Sequence, residues 1–252
     1  MGLTIHWSFQ GPPPKADALA VIEKMRQRAL DLPFDSVSEI VQFQGPDSDR
    51  QQDHEFDWLK MISEQLVWNR DLSLGGRCPA DELVGFVVDV APGAEPMGVY
   101  LADYPTMILV DDERTGEPRE LPTDLVTWCG SSFCKTQYSS HPDLGGVSTF
   151  LRAHLSVVRL LDFSKELGIL RKVVDEGGFS ENRDVPALVK TIGDWNAMIA
   201  AGAGAIGDLF DGNIQGPIKT FPDFEHLEAK GHDKIDAWLR KIKEERKRDQ
   251  GR

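Results

Sequence analysis

Residues 83–110 read LVGFVVDVAPGAEPMGVYLADYPTMILV, in which three short apolar runs are separated by the turn sequences Ala-Pro-Gly and Asp-Tyr-Pro. Short runs rich in Val, Leu and Ile that end at Gly or Pro are typical of β-strands. We predict strands over 83–90, 97–102 and 107–110. Because only a few residues separate them, the spacing predicts an antiparallel meander.

The sequence before the meander predicts a strand, a helix and a second strand. Apolar and polar residues alternate from Leu3 to Gln10, which is the period of a half-buried strand. Residues 15–30 then carry apolar side chains at helical spacing, and a second apolar run covers 37–43. This order predicts a β-α-β opening. We further predict a helix over 58–68, polar loops over 46–57 and 111–122, and β-structure over 124–139.

After Gly146 the apolar spacing becomes helical, over 147–168, 186–210 and 233–248. Strands early and helices late predict an α+β fold, with a mainly antiparallel sheet and C-terminal helices packed on one face. We assign residues 1–220 to a single α+β domain and residues 221–252 to a C-terminal charged helical extension.

Composition limits the classes of partner. The 252 residues carry a formal charge of −13, and nucleic-acid backbones are bound by clustered Lys and Arg, so we expect no nucleic acid. Residues 230–252 hold nine Lys or Arg against five Asp or Glu, which we interpret as a solvated helix. The chain has no apolar run of about 18 residues and no N-terminal signal pattern. With three cysteines it is expected to be cytoplasmic and not membrane-bound.

A candidate anion site follows the meander. We predict that Lys135 and Gln137 share one face of a strand, and that Gly145 and Gly146 lead into a helix whose first N–H groups have no intrahelical partner. A Lys and an amide beside a helix N-terminus can hold a small anionic ligand. The alternative is an edge strand with solvated polar residues and an ordinary glycine entry to a helix.

Three residues are candidates for proton transfer. His6 lies on the polar face of the first strand, Glu95 lies in a tight Pro-Gly turn, and Glu176 lies in the acidic loop 175–181. Imidazole and carboxylate groups are the usual general acids and bases. The alternative is that all three are solvated, because turns and loops attract such residues without any function.

Other patterns are weaker. His154 lies on the apolar face of its helix, so we interpret it as a core residue. Cys129 and Cys134 are separated by an odd number of positions, so strand alternation sends them to opposite faces, and neither matches a metal-site spacing. Cys134 as a nucleophile, with His141 or His154 as its base, stays an alternative. Residues 202–207 match G-x-G-x-x-G, but helical spacing precedes them, which favours helix packing over a nucleotide site. No metal is assigned, and the cofactor is left open.

Four short motifs follow one another along the chain: MGLTIH at 1–6, PGAEP at 92–96, KTQY at 135–138 and DEGGFSE at 175–181. Their order resembles a family of uncharacterised bacterial proteins with an MGxxIH start, a PGxEP turn, a KTQY strand and a DEGG acidic loop. The resemblance implies no activity, substrate or cofactor. It predicts Cys at Ala94 and Tyr-Trp at Phe179-Ser180, so this chain departs from the pattern at both places.

Two functions fit these patterns. In the first, the chain is an enzyme or binding protein that acts on a small anionic ligand through a polar cleft. In the second, it is a protein–protein interaction or regulatory scaffold without catalysis. The two differ in geometry, because only the first requires the polar candidates to converge in a concave site.

Overall fold

A computed structural model describes residues 3–12, 15–44, 54–70, 73–112, 115–209 and 216–250. The strands are β1 (Thr4–Gln10), β2 (Ser36–Val37), β3 (Val41–Gln44), β4 (Gln65–Trp68), β5 (Gly75–Cys78), β6 (Glu82–Asp89), β7 (Met97–Asp103), β8 (Met107–Asp111), β9 (Pro118–Pro122), β10 (Cys129–Lys135) and β11 (Leu170–Asp175). The helices are α1 (Lys15–Leu30), α2 (His54–Ser63), α3 (Gly146–Glu166), α4 (Phe179–Asn182), α5 (Val185–Leu209) and α6 (Phe224–Gln250).

Seven strands form the main sheet, in the order β11-β1-β10-β7-β6-β2, and β3 also pairs with β6. Its pairings are antiparallel, and β4–β5 and β8–β9 form two separate hairpins. The α+β prediction is therefore confirmed. The sheet places β11 at one edge, so this strand pairs with β1 on one side only.

The main core lies between the sheet and helices α1 and α3. Alternation in β1 sends Ile5, Trp7 and Phe9 to this side, where they meet Ile22 of α1 and Val157 of α3. All five are buried. Burying side chains of this size contributes roughly 1.5–3 kcal/mol each, so this layer holds the helices on the sheet.

The opposite face of the sheet is covered over part of its width. Leu59 of α2 packs against Leu83 and Tyr100 of the central strands, and the hairpin residue Val67 joins the same cluster. Over β1, β10 and β11 this face carries polar or solvent-exposed residues, including His6, which is exposed. The polar face predicted for the first strand is therefore real.

Several predicted elements differ from the structure. The helix predicted over 58–68 is α2, which ends at Ser63 and is followed by β4. The loop predicted over 111–122 contains β9, and most of the segment 46–57 lies outside the described residues. The largest omission is β11, which the helical pattern after Gly146 concealed. Arg171 and Lys172 interrupt its apolar alternation, and a register shift at Ser8/Phe9 interrupts its pairing with β1.

Residues 202–207 lie inside α5, as predicted from the helical spacing before them. Gly204 faces α6, where a Cβ atom would lie 1.6 Å from Glu228 Oε1. On α6, a Cβ at Gly231 would lie 1.9 Å from the Ala197 carbonyl oxygen. Glycine at these two positions lets the helices approach closely, so the interpretation of the motif as helix packing is confirmed. Within the described ranges, no helix is both long and apolar enough to cross a membrane.

Candidate functional site

The Pro-Gly turn between β6 and β7 is fixed to the end of β10. The Glu95 amide donates to the Lys135 carbonyl at 2.9 Å, and the Lys135 amide donates to Glu95 Oε2 at 3.3 Å. Cys134 Sγ donates to the Glu95 carbonyl at 3.2 Å. These contacts bring two predicted site residues, Glu95 and Lys135, into direct contact.

Glu176 reaches the same end of the sheet from the loop after β11. Its Oε2 accepts from the Thr4 amide at 2.9 Å, and its own amide donates to the Thr4 carbonyl at 3.1 Å. Thr4 pairs with Lys135 across β1 and β10. The sheet therefore brings Glu95, Lys135 and Glu176 together around Thr4, and we call these four residues the sheet-end cluster.

His6 lies two residues after Thr4 in β1, so its side chain is on the same face of the sheet. Its ring centroid is 6.1 Å from that of Phe133, its partner on β10. Lys135 Nζ lies over the Tyr138 ring, 4.7 Å from its centroid. The sheet-end cluster thus holds one cation, Lys135, and two carboxylates, Glu95 and Glu176. Because carboxylates repel anions, a cluster with more carboxylates than cations is a weaker anion site than its sequence suggested.

Gln137 does not share a strand face with Lys135, because β10 ends at Lys135 and Gln137 opens a 3-10 helix, Gln137–Ser140. Its side chain is fully buried. Oε1 accepts from the Leu3 amide at 3.1 Å, and Nε2 donates to Asn196 Oδ1 at 3.1 Å. Both ends of the amide are used internally, so the predicted strand face shared with Lys135 is wrong, while contact of Gln137 with a ligand stays a prediction.

Gly145 and Gly146 lie where predicted, at the entry to α3. Gly145 is the N-cap at φ 100°, and Gly146 is the first helical residue at φ 63°. A Cβ on Gly145 would lie 2.3 Å from Thr149 Oγ1. Both residues have a left-handed backbone conformation, which favours glycine, so local geometry accounts for glycine at these two positions. Whether they contact a ligand stays a prediction.

A buried hydroxyl, imidazole and carboxylate lie in line beneath the sheet-end cluster. Thr136 Oγ1 is 2.9 Å from His154 Nδ1, and His154 Nε2 is 3.2 Å from Asp175 Oδ2. Because a carboxylate only accepts, Nε2 carries a proton, and a neutral ring then accepts from Thr136 at Nδ1. His154 is a core residue, as predicted, but with two polar partners instead of one.

Asp175 is held by the loop that follows it. The Gly177 amide donates to Oδ1 and the Ser180 amide to Oδ2, both at 2.8 Å. Burial alone raises the pKa of Asp175, but the hydrogen bonds from His154, Ser180 and Gly177 outweigh it, so the pKa lies below its ordinary value. The order of groups resembles a nucleophile triad. Since Thr136 and the side chains of His154 and Asp175 are all 0% exposed, no substrate reaches them, and the row pins β10, α3 and β11 together.

Cys134 has the surroundings of a structural thiol. It is completely buried in the main core, on the face opposite to that of Cys129. Burial first, and the nearby Glu95 carboxylate second, raise the pKa of Cys134. Reactive thiols are instead partly exposed and beside positive charge. The structure therefore gives no support to Cys134 as a nucleophile.

A groove runs between α3 and the edge strand β11, with a volume of about 230 Å³. We call it the edge groove. Ser180 of α4 and Arg183, which follows that helix, also line it. Its lining residues are Val158, Leu161, Asp162, Lys165, Leu170, Arg171, Lys172, Val173, Ser180 and Arg183. Four of these are cations and one is a carboxylate, so the groove is basic in an acidic chain.

The charges of the edge groove are only partly neutralised. Arg183 forms two hydrogen bonds to Asp162, at 2.7 and 2.9 Å. Lys165, Arg171 and Lys172 make no ion pair to any described carboxylate within 4.0 Å. Three cationic residues are thus available to a ligand.

A second, larger groove of about 730 Å³ lies on the other side of α3, against α1. Its charged lining residues balance, with three cations and three carboxylates: Lys24, Arg28, Arg159, Asp31, Asp162 and Glu166. Because these charges balance, the second groove favours neither anionic nor cationic ligands. The edge groove is therefore the better candidate for a charged ligand.

Sequence reasoning missed the edge groove because it missed β11. Arg171 and Lys172 were visible as neighbouring cations, but without the strand they had no place in the fold. Asp175 and Thr136 were also missed as partners of His154, because they are 21 and 18 residues away in the chain. The β-branched pair Val173 and Val174 was a local signal for the strand, but Arg171 and Lys172 interrupt its alternation.

Comparisons with known proteins give no relatives for this architecture. No known protein family matches the chain, no curated protein is similar to it, and no solved structure matches its fold. Among the described residues, no group of three or more His, Cys, Asp or Glu is arranged to hold a metal ion. The function is therefore inferred from the site alone.

Proposed function

We propose that this protein binds an anionic ligand in the edge groove, without catalysing a reaction on it. One observation carries the proposal: the groove has four cationic lining residues against one carboxylate, in a chain whose formal charge is −13. A local charge opposite to the overall charge attracts anions to this place and repels them elsewhere.

The lining supports binding in a second way. Leu170 and Val173 add half-buried apolar side chains to the lining. An anion with both oxygen atoms and a carbon frame fits this lining best.

Two observations favour binding over catalysis. The buried row of Thr136, His154 and Asp175 is closed to substrates. The sheet-end cluster lies beside His6, which is exposed, and an open position does not exclude water from a reacting group. A cytoplasmic location is part of the proposal, because Cys78, Cys129 and Cys134 are all free thiols, as in a reducing compartment.

Thermal unfolding with citrate tests the proposal. A ligand at about one hundred times its Kd stabilises a protein by about 2.7 kcal/mol, or roughly 5–10 °C for a chain of this length. We expect citrate to raise the Tm above that in sodium chloride of equal ionic strength. The double variant Lys165→Ala/Arg171→Ala should lose most of this rise.

Two controls locate the ligand. Lys60→Ala/Lys190→Ala removes the same charge from exposed positions outside the edge groove, and should keep the rise. Lys135→Ala tests the site that the sequence predicted. If Lys135→Ala abolishes the rise and the groove variant keeps it, the ligand binds at the sheet-end cluster and the proposal is wrong. An equal loss in both double variants would indicate attraction by overall charge alone.

A further inference from the structure

The edge groove has a strand as one of its walls, and that strand has unused backbone groups. The Glu176 amide donates to the Thr4 carbonyl, which makes Thr4 and Glu176 a hydrogen-bonded pair. Antiparallel pairs alternate, so His6/Val174 is also hydrogen-bonded, and Trp7/Val173 between them is not. The N–H and C=O of Val173 therefore point away from β1, toward the open side of the sheet.

No backbone partner for these two groups of Val173 exists among the described residues. An edge strand of this kind is a template for another strand, which adds about 4.8 Å away and continues the ladder. The edge groove lies along this edge, between β11 and α3. Space and hydrogen-bonding groups for one added strand are thus present together.

The side walls set the chemistry of that strand. Side chains of a strand alternate between its two faces, so every second side chain would lie on the α3 side, beside the half-buried Leu170 and Val173. The remaining side chains would point to the opposite face, on which Lys172 lies beside Ser8 and makes no ion pair to a described carboxylate. A segment that alternates apolar and acidic residues matches both features.

A second copy of this chain does not match them. Pairing β11 with β11 of another molecule would bring Arg171 and Lys172 of both copies to the same interface. Like charges directly opposite each other destabilise a pair of strands. The cations at the edge therefore oppose self-association, and they favour a partner of opposite charge.

We propose that β11 accepts an extended peptide of alternating apolar and acidic residues as an additional strand of the sheet, with its apolar side chains against α3. This proposal rests on the proposed function, since the same groove binds the anion, and it identifies the anionic ligand as the carboxylates of a peptide. The backbone of Val173 provides hydrogen bonds, the half-buried Leu170 and Val173 contact the apolar side chains, and Lys172 on the other face selects acidic ones.

Fluorescence anisotropy with a labelled octapeptide of alternating Val and Glu tests the proposal, with an octapeptide of alternating Val and Lys as its charge control. We expect the Val-Glu peptide to bind, the Val-Lys peptide not to bind, and affinity to fall as salt is added. Val173→Pro removes the outward N–H without touching the ladder to β1, and should weaken binding at least tenfold. Val173→Ala keeps the N–H and serves as the matched control.

Hydrogen exchange on the wild-type protein supplies a readout that does not depend on how the proline variant folds. The Val173 amide should exchange at least tenfold more slowly with bound Val-Glu peptide than with citrate. If the peptide binds without protecting this amide, or Val173→Pro binds it as well as Val173→Ala does, strand addition is wrong while anion binding stands. If citrate raises the Tm and the peptide does not bind at all, strand addition is again wrong and the proposed anion binding stands. Failure of both ligands overturns the proposed function as well.

Discussion

His154 Nε2 lies 3.1 Å from Asp175 Oδ1, and both side chains are 0% exposed. Asp175→Asn replaces the carboxylate by an amide of the same shape, whose nitrogen cannot accept the hydrogen bonds it now receives. Breaking one partner of a buried pair costs about 3–5 kcal/mol, so we expect a loss of this size in urea unfolding at neutral pH. Asp162→Asn, in the partly exposed pair with Arg183, should cost at most about 1 kcal/mol.

The same contact predicts a pH dependence. The pKa of Asp175 is lower in the folded protein than its ordinary value of 3.8. Its contribution to stability is therefore fully present above pH 3.8 and is lost as the pH falls through the lower folded value. The difference in unfolding free energy between wild type and Asp175→Asn should shrink below that pH. A difference that stays constant down to about pH 2 would mean that the carboxylate is not stabilised by its partners.

The partners of His154 lie 18 and 21 residues away in the chain, and this distance illustrates which parts of the structure the sequence could predict. Local patterns predicted β1, α1 and the meander, because alternation and helical spacing are properties of neighbouring residues. They also predicted that Glu95, Lys135 and Glu176 are polar positions of interest. The meeting of these residues around Thr4 depends on the order of strands in the sheet, which joins distant segments. No local pattern contains that order.

Gln137 is a residue for which the local pattern predicted the wrong conformation. Its position beside Lys135 in the KTQY motif suggested continued alternation, but the strand ends at Lys135. The deciding contacts are with the Leu3 amide, 134 residues away, and with Asn196, 59 residues away. These partners satisfy the buried amide, and they favour the 3-10 helix over a longer strand. The motif therefore showed that Gln137 is a residue of interest, but contacts with distant residues decided its conformation.

The buried amide of Asn196 joins two elements. Gln137 Nε2 donates to its Oδ1 at 3.1 Å, and its Nδ2 donates to Ser140 Oγ at 2.9 Å. Asn196→Ala leaves the Gln137 side chain without this acceptor, and each unsatisfied buried group costs about 1–3 kcal/mol. We expect a loss of that size or more in urea unfolding. Gln27→Ala, at an exposed position of α1, is the control, and an equal loss in both would contradict a special role of the buried amide.

Two helical glycines make a matched pair on α5 and α6. Gly231→Ala places a Cβ 1.9 Å from the Ala197 carbonyl oxygen, so the helices must separate and stability should fall by about 1–3 kcal/mol. Gly193→Ala meets no atom within 4 Å, so helix propensity should raise stability by up to about 1 kcal/mol. Thermal unfolding of both variants measures the difference. Stabilisation by both substitutions would show that the two helices do not pack as described.

The three cysteines predict a pattern of reactivity that bears on catalysis. Burial raises the pKa of all three thiols, and a nearby carboxylate adds to this effect at each of them: Asp81 at Cys78, Asp103 at Cys129 and Glu95 at Cys134. The nucleophile in thiol chemistry is the thiolate, so a raised pKa slows reaction. Cys78 and Cys134 are also closed to reagents, while Cys129 is only half-buried.

We therefore expect Ellman's reagent at pH 8 to modify Cys129 first and slowly in the folded protein. Cys129→Ser should leave a folded protein with almost no reactivity, because a reagent reaches Cys78 and Cys134 only when the surrounding core opens. Guanidinium chloride should expose the remaining two thiols to rapid reaction, which controls for prior oxidation. A Cys134 thiol that reacted in the folded Cys129→Ser protein faster than free cysteine would require a lowered pKa. That result would return Cys134 to consideration as a catalytic nucleophile, and it would contradict both its burial and the binding function proposed for this chain.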